Sequence, residues 1–169
     1  MATTFKLISK TEVGSGGAAN IEFTSIPSTF TDLQLIVSLR SNDSRSMTWV
    51  NLQFNSATSN RSLKNLYGTG SSALSGSYTE MRFSAVNANT STSNTFGSAS
   101  LYIPNYAGSN YKSASGESVA ETNASAADMG LEANLWSNTA AITSIKIIPG
   151  DGTGWLQYSS AYLYGIKNS

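Results

Sequence analysis

The chain has 169 residues and a mass of 17.8 kDa, a length that fits one domain with its own hydrophobic core. Only 12% of the residues are charged, and ten basic side chains balance ten acidic ones, which argues against a nucleic-acid-binding surface. The chain has no cysteine and no histidine, which excludes disulfides, thiol nucleophiles and the Ser-His-Asp arrangement of many hydrolases.

Short apolar or alternating runs, separated by clusters of Gly, Ser and Asn, predict antiparallel strands throughout the chain. The predicted strands, in chain order, are residues 5–13, 21–23, 32–40, 47–54, 78–86, 96–104, 111–121, 141–149 and 161–167. Segment 56–76 has no clear periodicity and is interpreted as a long polar, Gly-rich connection. Segment 123–136, "NASAADMGLEANLW", is the only one that would tolerate a helix.

The terminal strand alternates between two apolar sets. Ala161, Leu163 and Gly165 share one side, and Tyr162, Tyr164 and Ile166 share the other. Because neither side is suited to free solvation, we expect this strand to close the sheet beside strand 141–149 or the N-terminal strand.

These patterns predict an all-β fold made of a single β-sandwich domain spanning residues 1–169. We expect it to be jelly-roll-like, with about eight to nine antiparallel strands and at most one short helix. The surface is expected to be neutral and polar, because the chain holds 30 Ser, 17 Thr and 15 Asn. Such a surface is typical of adhesive or particle-bound proteins.

Three sequence features invite a chemical interpretation, and each has a simpler one. "GSGG" at 14–17 lacks the lysine and helix of a phosphate loop and is interpreted as a hairpin turn. Asp151 in "PGDGTG" lacks the further carboxylates of a calcium loop and is interpreted as part of a turn.

The third feature is a set of acidic residues. On a strand, Glu117 and Glu121 would face one side about 13 Å apart, too far for glycoside hydrolysis. We interpret them, with Asp128 and Glu132, as solvated surface charges. The sequence therefore predicts no catalytic residue, no metal site and no cofactor.

Aromatic residues offer the remaining candidate site. Trp49, Trp136, Trp155, Tyr67, Tyr106 and Tyr111 would suit a sugar-stacking platform if they came together. Three of them, Tyr106, Tyr111 and Trp155, lie in or beside predicted turns, where aromatic residues favour a protein partner. We therefore expect these three to lie at a partner interface.

Four stretches resemble a group of small virion structural proteins of tailed bacteriophages, in the same order along the chain. They are "LISKTEVGSGGAANIEFTSIPSTFTDLQLIVSLRS", "LYIPNYAGSNYKS", "LWSNTAAITSIKIIPGDG" and the terminal "AYLYGIK". Members of this group are described as capsid-associated, tail-fibre-like or simply structural. The resemblance implies a virion location and a non-enzymatic role.

The resulting hypothesis is a capsid decoration, or cement, protein that binds the major capsid protein or other virion proteins. A homo-oligomer, trimer or dimer, is expected because such a protein must match the symmetry of the shell. The first residues carry no signal-peptide pattern and no apolar run spans a membrane, so we expect synthesis in the host cytoplasm, location in the virion and no membrane partner. The alternatives are a tail-fibre or receptor-binding component and, third, a carbohydrate-binding module.

Overall fold

Twelve β-strands form two antiparallel sheets in the computed structural model, which describes residues 4–123, 127–151 and 154–167. The strands are β1 (Phe5–Glu12), β2 (Ile21–Phe23), β3 (Asp32–Leu39), β4 (Met47–Phe54), β5 (Arg61–Gly68), β6 (Ala73–Tyr78), β7 (Met81–Asn87), β8 (Gly97–Ile103), β9 (Lys112–Glu121), β10 (Ala127–Trp136), β11 (Ile145–Pro149) and β12 (Ser160–Ile166). The described residues contain no helix. The expected all-β sandwich is confirmed.

Eight of the strands pair as a folded ribbon. β1 pairs with β12, β2 with β11, β3 with β8, and β4 with β7. This nested pairing places β1–β12–β3–β8 in one sheet and β2–β11–β4–β7 in the other. An eight-stranded ribbon rolled in this way is a jelly roll, so we call these strands the jelly-roll core.

The other four strands extend the larger sheet, whose full order is β1-β12-β3-β8-β9-β10-β5-β6. The hairpin β5–β6 is inserted between β4 and β7, and β9–β10 is inserted between β8 and β11. We call β9, β10, β5 and β6 the extension. It accounts for the strand count of twelve, which exceeds the eight to nine expected from the sequence.

One sequence interpretation was wrong in the extension. Segment 56–76 is not a connection, because it forms β5 and most of β6. The helix-tolerant segment forms β10 from residue 127 onward, which agrees with at most one short helix, and its residues 124–126 lie outside the described residues. β10 pairs along its whole length with β9 and over eight residues with β5. Ladder hydrogen bonds on both sides outweigh the weak helical preference of this composition.

The hydrophobic core lies between the two sheets of the jelly roll. β3 directs Leu33, Leu35, Val37 and Leu39 into it, as the alternation predicted. From the other sheet, strands β4 and β7 contribute Val50, Leu52, Phe54, Met81 and Phe83 to the core. The extension adds the Trp136 ring, which meets the Phe54 ring edge to face at 6.0 Å.

The terminal strand β12 lies inside the large sheet, between β1 and β3. Ala161 and Leu163 are fully buried, and Tyr162 and Tyr164 are half-buried on the other side. The backbone N–H of Lys167 also donates to the Thr4 carbonyl at 3.0 Å. The expected pairing with the N-terminal strand is confirmed, whereas β11, the other expected neighbour, lies in the opposite sheet.

Two polar loops are organised around buried cations. The Arg40 guanidinium donates to the carbonyls of Thr92 and Thr95, both at 2.8 Å, and of Ser91 at 2.9 Å. Lys112 Nζ donates to the Gly108 carbonyl at 2.7 Å and also to the carbonyl of Asn110. Burial lowers the pKa of both side chains, and the carbonyl dipoles satisfy their N–H donors.

Candidate interaction surface

Two of the three aromatic residues expected at a partner interface belong to the chain's own core. Tyr106 is 0% exposed and Trp155 is 1% exposed. The Trp155 indole donates to the Ile147 carbonyl at 3.1 Å, and the Tyr106 hydroxyl donates to the carbonyl of Pro27. The interface interpretation was wrong for these two, because their rings close the ends of the sandwich. Tyr111 is 59% exposed, and its interface role stays a prediction.

A different surface is both exposed and apolar: the outer side of the extension. Leu66, Leu131 and Met129 are 63%, 63% and 64% exposed, and Val119 is 44% exposed. Leu131 lies opposite Leu66 across β10 and β5, and Met129 lies opposite Val119 across β10 and β9. Neighbouring strands are about 4.8 Å apart, so the four side chains form one continuous patch, which we call the apolar outer face.

The apolar outer face borders a shallow groove of about 550 Å³. Contiguous apolar surface is often a contact site for other proteins. The segment "DMGLEAN" contains two residues of this face, but its sequence pattern predicts that they are buried. Its apolar residues alternate with Gly130, Glu132 and Asn134, and sequence reasoning expects the apolar set, not the polar set, to be buried.

Beneath this face lies a buried polar layer made of Glu132, Asn134, Asn65 and Ser118. Its side chains cover the free edge of β7. Asn134 Oδ1 accepts from the Arg82 N–H at 2.9 Å, and Glu132 Oε1 accepts from the Ser84 N–H at 2.9 Å. Side chains of one sheet therefore satisfy backbone groups that the other sheet leaves unpaired.

Further hydrogen bonds join the side chains of this layer to one another and to β7. Glu132 Oε1 also accepts from the Ser118 hydroxyl at 2.7 Å, and Asn65 Nδ2 donates to the Ser84 hydroxyl at 2.9 Å. Gly130 is required here, since a Cβ at this position would lie 2.6 Å from both Glu132 Oε1 and Ser84 Oγ. Asp128 lies at the end of the layer, where burial and then the charge of Glu132 raise the pKa of its carboxyl to about 6.

The acidic residues singled out in the sequence lie on both sides of the large sheet. Glu117 and Glu121 are exposed, as expected, and Glu117 accepts from the Ser100 hydroxyl at 3.1 Å. Glu132 is 3% exposed, so the interpretation as a solvated charge was wrong for it. Glu117 and Glu132 point to opposite sides of the sheet, because they differ in burial and lie one register step apart on β9 and β10.

The Gly-rich stretch at 14–17 is a turn, whereas residues 152–153 of the second stretch lie outside the described residues. The Gly17 N–H donates to the Gly14 carbonyl at 3.0 Å, with Gly17 at φ +69°. This turn is not a hairpin, because the strands that flank it, β1 and β2, belong to different sheets. Asp151 forms an ion pair with Arg45, which also pairs with Asp43 at 2.7 Å. Within the described ranges, no group of three or more acidic side chains could hold a metal ion.

The six aromatic residues considered for sugar stacking do not form a platform. Trp136, Trp155 and Tyr106 are buried. Trp49 is already in cation–π contact with the guanidinium groups of Arg45 and Arg82, at 5.0 and 5.4 Å from its ring centre. An open polar cleft of about 730 Å³ lies at one end of the sandwich, but Arg40, the charged residue in its described lining, is held by loop carbonyls.

In the part of the chain that the structure describes, no helix is long and apolar enough to cross a membrane. Comparison with family models, curated proteins and solved structures found no significant match to this chain. The apolar outer face is thus identified from the chain's own geometry.

Proposed function

We propose that this chain is a non-enzymatic structural protein of a tailed-phage virion, where it acts as a capsid decoration protein. The observation that carries the proposal is the apolar outer face, formed by Leu66, Val119, Met129 and Leu131 on strands added to a complete jelly roll. The four stretches that resemble phage virion proteins supply the location. In this role the face contacts proteins of the outer shell.

The size of the apolar outer face suits a contact that is repeated many times. Fully burying a side chain such as Leu or Met contributes about 1.5–3 kcal/mol, and these four are already partly covered. The costs of association reduce this further, so each contact alone is weak. A shell offers many equivalent positions, and each occupied position adds to the stability of the particle by mass action.

Charge contributes little to this contact. Lys64, Glu117 and Glu121 are exposed charged residues beside the face, and the chain as a whole is neutral. Binding should therefore depend weakly on salt, because screening acts on charged contacts and leaves apolar burial in place.

The proposal is tested by the number of copies per particle. In virions of the phage proposed to encode the chain, quantitative mass spectrometry should find it in a fixed ratio to the major capsid protein. Particles that lack it should release their contents at a lower temperature. A few copies per virion, with lost host adsorption and unchanged heat resistance, would instead assign the chain to the tail.

A further inference from the structure

The four edge strands of the two sheets differ in how well they are protected from pairing with another chain. An exposed strand edge presents unpaired N–H and C=O groups, and proteins usually protect such edges from pairing with other chains. The small sheet ends on β2, which has only three residues, and on β7, whose edge is covered by Glu132 and Asn134. Its two edges are protected.

The large sheet has one protected edge and one unprotected edge. β1 carries Lys6, Lys10 and Glu12 and has a register irregularity between Leu7 and Ser9, two devices that oppose pairing. At the other end, β6 has the sequence ALSGSY, with no charge and no proline. Among the described residues its only strand partner is β5.

The turn before β6 determines which of its backbone groups face outward. Thr69 N–H donates to the Ser72 carbonyl at 3.0 Å, which closes a two-residue turn with Gly70 at φ +84°. Hydrogen-bonded pairs then recur every second residue, so Leu74 and Gly76 bond to β5. Ala73, Ser75 and Ser77 therefore direct their N–H and C=O groups away from the sheet.

We propose that β6 pairs with β6 of a second copy of this chain across a two-fold axis. Centring the axis on Ser75 pairs Ser75 with itself and Ala73 with Ser77, which engages all three outward-facing residues. Each such pair exchanges two backbone hydrogen bonds, giving about six in total. The pairing is self-complementary because β6 carries no charge that would repel its own copy.

Side chains on the inner side of β6 fit the same register. Leu74, which is exposed in one copy, comes opposite Gly76 of the second copy. The Tyr78 ring fills the space over Gly76 and supplies an apolar surface for the facing Leu74. Pairing joins two sheets of eight strands into one of sixteen and places two apolar outer faces on the same side.

The absence of cysteine from the sequence makes a direct test possible. In Ser75→Cys, two thiols meet across the axis in a hydrogen-bonded pair with Cα atoms about 5.5 Å apart, within disulfide range. Mild oxidation should convert this variant to a covalent dimer. Ser115→Cys, exposed on β9 in the same sheet, is the matched control and should remain uncrosslinked.

Sedimentation equilibrium of the unmodified chain provides the second measurement. It should show a dimer, and Ser75→Pro should shift it to monomer, since proline removes an outward N–H and leaves the bonds to β5 in place. A unique monomer, or a dimer that withstands Ser75→Pro and forms no crosslink in the Ser75→Cys variant, would overturn the inference. The dimer does not depend on the proposed virion role, and neither measurement requires a virion.

Discussion

The jelly-roll core and the extension share one large sheet but cover it by different means. In the core, two sheets face each other, and apolar residues such as Leu35 and Phe83 fill the space between them. The extension contributes Trp136 to that core, but along β7 it lies against a strand edge, and it buries Glu132 and Asn134 there. What opposes a sheet decides which side chains it buries: another sheet requires apolar packing, whereas a strand edge requires hydrogen-bonding groups.

Deleting whole strands should give the largest difference in folding between the jelly-roll core and the extension. Deleting residues 162–169 should abolish folding, because β12 pairs with both β1 and β3 and its loss divides the large sheet. Replacing residues 57–79 with a short turn should leave a folded domain, since Leu52 already pairs with Met81 across that insertion. Circular dichroism with thermal melting tests both, and a cooperative melt of the first variant would contradict this account.

Substituting one leucine in the core and one on the extension compares what the two regions contribute to the free energy of unfolding. Leu163→Ala should lower the free energy of unfolding by about 3–4 kcal/mol, because it opens a cavity in the core. Leu131→Ala should change it by less than about 0.5 kcal/mol, because this side chain is exposed on the extension. Urea unfolding measures both values, and equal losses would show that the apolar outer face is structural.

A substitution in the buried polar layer should lower the free energy of unfolding by an intermediate amount. Glu132→Leu should cost about 2–3 kcal/mol, because it leaves the Ser84 N–H and the Ser118 hydroxyl without their acceptor. Glu132→Gln keeps an acceptor oxygen and should cost less. Glu117→Leu, on the exposed side of the same sheet, is the control. If it proved as costly in urea unfolding as Glu132→Leu, the layer would have no special role.

A smaller effect than that of the buried polar layer concerns pH. With its pKa raised to about 6, the Asp128 carboxyl keeps a proton in the folded chain that the unfolded chain loses near pH 4. The free energy of unfolding should therefore fall as the pH rises from about 4 to 6. Asp128→Asn should gain about 1 kcal/mol at pH 7, after allowance for solvent screening, and nothing below pH 4. A gain that is independent of pH would exclude this origin.

Sequence reasoning succeeded where burial and polarity agree. Strand β3 places large apolar residues at every second position, β12 has apolar residues on both sides, and both strands line the core as expected. It failed on β5 and β10, where the covered positions include Asn65, Glu132 and Asn134 and the exposed ones include leucines. That reversal follows from the neighbouring β7 edge, a tertiary feature that local sequence does not encode.

The exposed apolar residues of the extension were missed for a related reason. An aromatic residue beside a turn can either close the end of a sandwich or face a partner, and local sequence is the same in both cases. Tyr106 and Trp155 each close an end of the sandwich, because each side chain donates a hydrogen bond to a main-chain carbonyl inside the fold. The apolar outer face became visible only when the register brought Leu66 next to Leu131, 65 positions away in the chain.

The most direct test of the central claim compares two surface variants on the same sheet. Leu66→Ser combined with Leu131→Ser changes the extension, whereas Ile36→Ser changes an exposed apolar residue on the jelly-roll core. Both should melt like the unmodified chain. Retention on purified particles, measured by quantitative mass spectrometry, should be lost for the double variant and kept for Ile36→Ser. Equal retention of the two would contradict the role assigned to the apolar outer face.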